Sequence, residues 1–266
     1  MKIKVIGCYG ARLPQYKLTS FLIEDKLLLD AGEITSTLSL EEQTRIKNIL
    51  VSHAHLDHIK DIFFLADNIF GLQKVSINVY STSEVITAIK KYVSNNIIWP
   101  DFSRIKVKNF YTLNFNCIEQ DKEIVIDNFL IKPIRVNHPV PTFGYLIKDD
   151  QVGILYTSDT SYTDKIWEEA NQVDSLKAII IDVSFPNRLK KLAEISGHLT
   201  PDGLKNELSK ISKLDNIYIL TYHMKPQYLA EIESEIKEIG SRNILMLEQD
   251  KTYIINAGLG AGISVI

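Results

Sequence analysis

His53-Ala54-His55-Leu56-Asp57-His58 places four side chains of metal-ligand type within six residues. The apolar run Ile49-Leu50-Val51 in front of it reads as a buried strand, so the motif begins where that strand gives way to a loop. With Ala54 between them, His53 and His55 can point to one side. Asp57 and His58 open a helix, because Ile59, Ile62, Phe63, Ala66 and Ile69 recur at helical spacing, and Asp57 suits that helix as its cap. One tetrahedral ion does not take four ligands from so short a loop. The pattern therefore predicts two divalent ions, His53 and His55 on one, Asp57 and His58 on the other. Imidazole and carboxylate donors without thiolate favour zinc and also accommodate manganese or iron.

Each ion needs further ligands, and the chain offers them after other strand-like runs. Val136-Asn137-His138-Pro139 supplies a histidine for the first ion, and Leu220-Thr221-Tyr222-His223 one for the second. Asp159, in Tyr156-Thr157-Ser158-Asp159, is placed to bridge both. Two ions about 3.5–4 Å apart can clamp an in-line displacement around a bridging hydroxide. Only His198 of the six histidines is then left without a metal role.

The surrounding sequence predicts one domain over residues 1–266. Strands are expected at 2–7, 20–24, 26–30, 76–80, 129–136, 143–148 and 153–157, with a helix at 83–93. Helices at 163–171, 201–212 and 227–239 then alternate with strands at 178–183, 216–221, 243–247 and 252–256. A β-rich start followed by αβ alternation indicates two sheets in contact with helices outside, an α/β (α+β) arrangement. Hydrophobic content of 45% and charged content of 24% are those of a globular protein, and a net charge of −3 is too small to argue for a nucleic-acid groove or a membrane surface, local patches aside. The two cysteines, Cys8 and Cys117, form neither a metal-ligand spacing nor a disulfide framework. Charges interleave with apolar residues in Met1-Lys2-Ile3-Lys4-Val5-Ile6, unlike a secretory signal, so the expected location is cytoplasmic.

The motif, with Asp30-Ala31-Gly32 before it and His138, Asp159 and His223 after it, resembles the signature of the metallo-β-lactamase superfamily. Within that superfamily, Ser52 to Ile59, Asn95-Asn96-Ile97-Ile98-Trp99-Pro100, Ser196-Gly197-His198-Leu199 and Tyr222-His223-Met224-Lys225-Pro226 resemble segments of the class II cyclic-nucleotide phosphodiesterases. Lys60-Asp61 departs from the small residue usual there, and the chain is short for that group. The resemblance implies a four-layer αββα sandwich, a two-metal site on one edge with Asp159 bridging, and hydrolysis of 3′,5′-cyclic nucleotides, cyclic AMP above all, with cyclic GMP next. It makes the partner a small cyclic nucleotide, and a homodimer is compatible with it.

A ring-opening hydrolysis must protonate the departing 3′-oxygen, and His198 is the candidate general acid; the competing role for it is capping the helix near Pro201. Related tRNA 3′-processing enzymes back a similar Gly-His pair with an acidic residue, a position that Asp182 matches. Asp30 is expected to hold the motif loop by hydrogen bonds, Lys225 to meet a phosphate oxygen, and Trp99 and Phe143 to stack on a purine. Two other functions compete: a tRNA 3′-end endonuclease, which should carry a glycine- and lysine-rich gripping arm, and a metal- or nucleotide-binding module without turnover.

Overall fold

The computed structural model of the chain describes residues 1–257 and 262–266. The strands β1 (Lys2–Gly7), β2 (Ser20–Ile23) and β3 (Leu27–Leu29) form an antiparallel meander, extended in parallel by β4 (Asn48–Leu50) and β5 (Ile77–Ser81). After a small hairpin of β6 (Lys106–Val107) and β7 (Phe110–Tyr111), β8 (Leu113–Cys117) joins beside β5. The second sheet comprises β9 (Ile124–Ile126), β10 (Phe129–Arg135), β11 (Phe143–Lys148), β12 (Gly153–Tyr156), β13 (Leu176–Asp182), β14 (Tyr218–Tyr222) and β15 (Ile244–Met246). Finally β16 (Thr252–Ile254) and β17 (Ser264–Val265) return to the first sheet, giving the orders β17-β16-β1-β2-β3-β4-β5-β8 and β15-β14-β13-β12-β11-β10-β9.

Side-chain alternation makes four layers from these strands. In the second sheet Tyr145, Ile147, Ile154, Tyr156, Ala178 and Ile180 enter one core together with the first sheet, while Leu146, Leu155, Ile179 and Ile181 enter another. A sheet covered on both faces needs near-continuous apolar strands, which is what Ala178-Ile179-Ile180-Ile181 provides. The helices follow from the same patterning. After the single turn α1 (Leu40–Gln43), α2 (Leu56–Asn68) and α3 (Ser83–Tyr92) cover the first sheet with Ile59, Ile62, Phe63, Val85 and Ile89. On the far side, α4 (Lys165–Asn171), α6 (Pro201–Leu208) and α7 (Leu229–Glu238) cover the second with Ile166, Trp167, Leu204, Leu208, Ile232 and Ile236, and α5 (Lys190–Ser196) lies between α4 and α6 in the chain. No described helix is long and apolar enough to cross a membrane.

The helices at 163–171 and 201–212 are shorter than the sequence predicts, and α1, α5 and the short strands from 106 to 126 were not expected. Asp57 does not cap α2: His55 holds the cap position, and the Asp57 carboxylate turns toward His58 and His223. The parallel strands set the site's location. Within the second sheet β10, β12, β13 and β14 run in a common direction, and their carboxyl ends, with that of β4 from the first sheet, deliver His138, Asp159, Asp182, His223 and His53 to one edge of the sandwich.

Candidate metal centre

His53, His55 and His138 bring ligand nitrogens within 4.8 Å of one another, and Asp57, His58, Asp159 and His223 form a second such group. His55 Nδ1 lies 3.3 Å from His138 Nε2, and His58 Nε2 lies 3.4 Å from His223 Nε2. Asp159 Oδ2 is shared: 3.7 Å from His53 Nε2 and 3.2 Å from each Nε2 of His58 and His223. Ligands placed tetrahedrally about an ion at about 2.0–2.1 Å stand roughly 3.3–3.4 Å apart, so these spacings fit cations better than direct hydrogen bonds.

Tautomers sharpen the fit. His58 Nδ1 sits 2.7 Å from Asp30 Oδ2, which can only accept, so Nδ1 carries hydrogen and Nε2 is the nitrogen a cation would take. His138 Nδ1 likewise faces the Gly197 carbonyl at 2.9 Å. His53 Nδ1 meets Ser52 Oγ at 3.0 Å, and its Nε2 is buried without any hydrogen-bond partner. Lone pairs and carboxylate oxygens converging in a largely buried site repel unless a cation sits among them. Burial, with the His58 ring beside it, holds His53 well below the ordinary imidazole range and so neutral. At His58 burial opposes charge, but Asp159, Asp30 and Asp57 outweigh it; these carboxylates favour positive charge at this point. With imidazole and carboxylate donors and no thiolate, the residues present fit two divalent ions of the zinc, manganese or iron type.

The backbone is bent to serve this geometry. Asp30, Ser158 and His223 are held in the left-handed region, at φ of 52°, 57° and 68°, an uncommon state for side-chain-bearing residues that concentrates at functional sites. Gly197 ends α5 at φ 74°, and a Cβ there would stand 2.7 Å from His138 Nδ1. Only glycine permits that approach, and its carbonyl is the one that orients His138. Asp30 is buried and accepts from Ser52 N at 2.7 Å and from Tyr156 Oη at 2.6 Å, so it braces the motif loop as the sequence suggests.

His198 stands beside the two groups, its ring 5.2 Å from that of His138 and stacked at 5.1 Å on that of His223. Its Nδ1 lies 2.7 Å from Asp182 Oδ2, which leaves Nε2 to carry a proton. Burial works against charging His198, but the Asp182 carboxylate outweighs it and raises the pKa. Thr200, not His198, caps α6, accepting from Gly203 N at 3.3 Å, so the capping role falls away. Asp159, Asp182, His198 and His223 also converge as a group, but here Asp182 is already engaged by His198 and by Ser184 Oγ at 2.6 Å. Ser184 is the site residue that the sequence reading missed.

The remaining expectations divide. Lys225 donates to the Gly10 carbonyl, which leaves two ammonium hydrogens, and its charge lies close enough to oppose protonation of His198. Phe143 is a correction: it is fully buried at the start of β11, with no face open to a purine. Trp99 is the second. It packs edge-on against Phe64, eight positions past Leu56 on α2, or about 12 Å along the helix from the motif. Its ring belongs to the flank of the sandwich.

A family model described as Beta-lactamase superfamily domain matches residues 27–221. Among curated proteins, the chain is 24% identical to 3′,5′-cyclic-nucleotide phosphodiesterase 1 of Saccharomyces cerevisiae over 64% of this chain and 52% of that protein, about half its length. It is 26% identical to Ribonuclease Z of Borreliella afzelii over 89% of this chain and 90% of that one. Its fold is similar to the crystal structure of unliganded yeast PDE1, with a TM-score of 0.79 at 18% identity over 94% of this chain and 98% of that one.

Proposed function

We propose that this chain, which belongs to the metallo-β-lactamase superfamily and gathers ligand groups for two ions, is a metal-dependent hydrolase that opens 3′,5′-cyclic nucleotides, cyclic AMP foremost and cyclic GMP next, to 5′-monophosphates. The observation that carries this reading is the His198–Asp182 pair set against both ligand groups. Hydrolysis of a lactam or thioester gives such a pair no obvious task, whereas expulsion of a sugar oxygen needs a proton donor. Two divalent ions, zinc by choice of donors, would supply charge neutralisation at the phosphodiester and an acidified water. His198 holds the proton at Nε2 for the departing 3′-oxygen, and Asp182 accepts Nδ1–H and stabilises the charged ring that can give that proton up. Lys225, with hydrogens to spare beside His198, is assigned to a phosphate oxygen.

A second reading, a tRNA 3′-end endonuclease, is favoured by the likeness to Borreliella Ribonuclease Z along nearly the whole of both chains. Against it, the sequence holds no glycine- and lysine-rich insertion to grip RNA. Zinc-loaded protein given cyclic AMP, cyclic GMP, bis-p-nitrophenyl phosphate and a precursor tRNA separates the two. We expect hydrolysis of the cyclic nucleotides and the aryl ester with the tRNA intact. Cleavage of the tRNA with cyclic AMP untouched would transfer the assignment to the second reading, and a metal-loaded protein inert toward all four substrates would remove both.

A further inference from the structure

We propose that Ser184 is a positioning residue that makes Asp182 serve two masters, orienting the metal ligand His223 as well as the proton donor His198. The inference rests on the hydrolase reading of the site and goes beyond it in assigning a residue. Ser184 lies two residues past the end of β13 and is fully buried. Its Oγ is 2.6 Å from Asp182 Oδ1, 2.9 Å from His223 Nδ1 and 3.2 Å from His198 Nδ1. A serine hydroxyl has one hydrogen to give. The carboxylate is the shortest contact and accepts only, so the hydrogen goes to Asp182 Oδ1, and the oxygen's lone pairs are left for donors.

His198 Nδ1 already donates to the other carboxylate oxygen, Asp182 Oδ2, at 2.7 Å. His223 Nδ1 has no carboxylate at hydrogen-bond distance: Asp182 Oδ1 stands 3.8 Å away. The serine fills that gap. His223 Nδ1–H donates to Ser184 Oγ, Ser184 donates to Asp182, and His223 Nε2 is thereby the nitrogen turned toward Asp159 and Asp57, where a cation would take it. The main chain makes the hub rigid, since Ser184 N donates to Leu199 O at 3.0 Å and Lys225 N donates to Ser184 O at 3.2 Å. One residue thus ties the loop carrying His198 to the loop carrying His223. The left-handed backbone at His223 needs such an external tie to stay populated.

Three measurements on wild type, Ser184→Ala and Ser184→Thr test this. In zinc-loaded wild type, nitrogen-15 spectra of the imidazoles should show His223 and His198 both with hydrogen on Nδ1; a His223 ring without hydrogen on Nδ1 would overturn the inference without any variant. Competition with a chelator should show zinc held roughly 10- to 100-fold more weakly by Ser184→Ala, with Ser184→Thr close to wild type, as expected when a ligand loses its supporting hydrogen bond. Turnover of bis-p-nitrophenyl phosphate at saturating zinc should fall in kcat rather than rise in KM, and threonine should restore it. Unchanged zinc affinity in Ser184→Ala, or failure of threonine to rescue, would sink the proposal. A wild type that turns over nothing would refute the hydrolase reading, while the spectra and the zinc competition would still decide the role of Ser184.

Discussion

Asp159→Ala is expected to abolish turnover of every phosphodiester substrate, by about three orders of magnitude or more, while the fold stays intact by circular dichroism. Its Oδ2 lies within 3.7 Å of ligand nitrogens from both groups, so its loss disconnects the two ion positions. Burial alone would raise its pKa, but His223 and His58 outweigh burial and hold the carboxylate ionised well below its usual range. The remaining oxygen, Oδ1, is steadied at 3.3 Å by the Tyr222 hydroxyl. Cations that lose their shared carboxylate also lose the spacing that clamps a phosphoryl group, a contribution of several kcal/mol, and about 4 kcal/mol corresponds to about 10³ in rate. Steady-state kinetics beside metal analysis checks this: activity should fall together with bound metal. Full activity with metal retained would show that Asp159 does not bridge.

His198→Ala should behave differently, and the difference depends on the leaving group. With cyclic AMP the departing oxygen is a sugar alkoxide that needs a proton, so kcat should fall about 10²- to 10⁴-fold with KM nearly unchanged. With bis-p-nitrophenyl phosphate the leaving group departs without help, and the same variant should lose little. Zinc affinity should hold, since His198 meets Asp182 and Ser184 and lies outside the two ligand groups. Comparison of the two substrates under identical conditions isolates the proton from the metal. Equal losses on both would assign His198 to positioning instead, and an unchanged rate with cyclic AMP would remove the proton-donor role altogether.

Much of this site is legible in the sequence because its chemistry is concentrated where strands end. A run such as Ile179-Ile180-Ile181-Asp182 announces both a buried strand and a polar residue delivered to its carboxyl edge, and the same logic reaches His138, Asp159 and His223. What escapes is direction and company. Phe143 begins a strand, and nothing local says that its ring turns inward. Trp99 lies in a segment of suggestive composition, yet its neighbour is Phe64, more than thirty residues away in sequence. Ser184 looks like any serine after a strand; its meaning depends on loops at 198 and 223 that only the folded chain assembles. The strands between 106 and 126 run for only two to five residues each, too short for a sustained pattern to stand out, although Leu113-Asn114-Phe115-Asn116-Cys117 does alternate apolar with polar and was within reach. The turn α1 was within reach: Ser39 and Glu42 form a capping box three residues apart.

Anomalous diffraction at the zinc edge from crystals of the zinc-loaded protein locates the ions themselves. Two peaks per chain are expected, one among His53, His55 and His138 and the other among Asp57, His58 and His223, with Asp159 between them. A single peak, a peak on the His198–Asp182 pair, or no peak at this edge of the sandwich would contradict the two-ion centre.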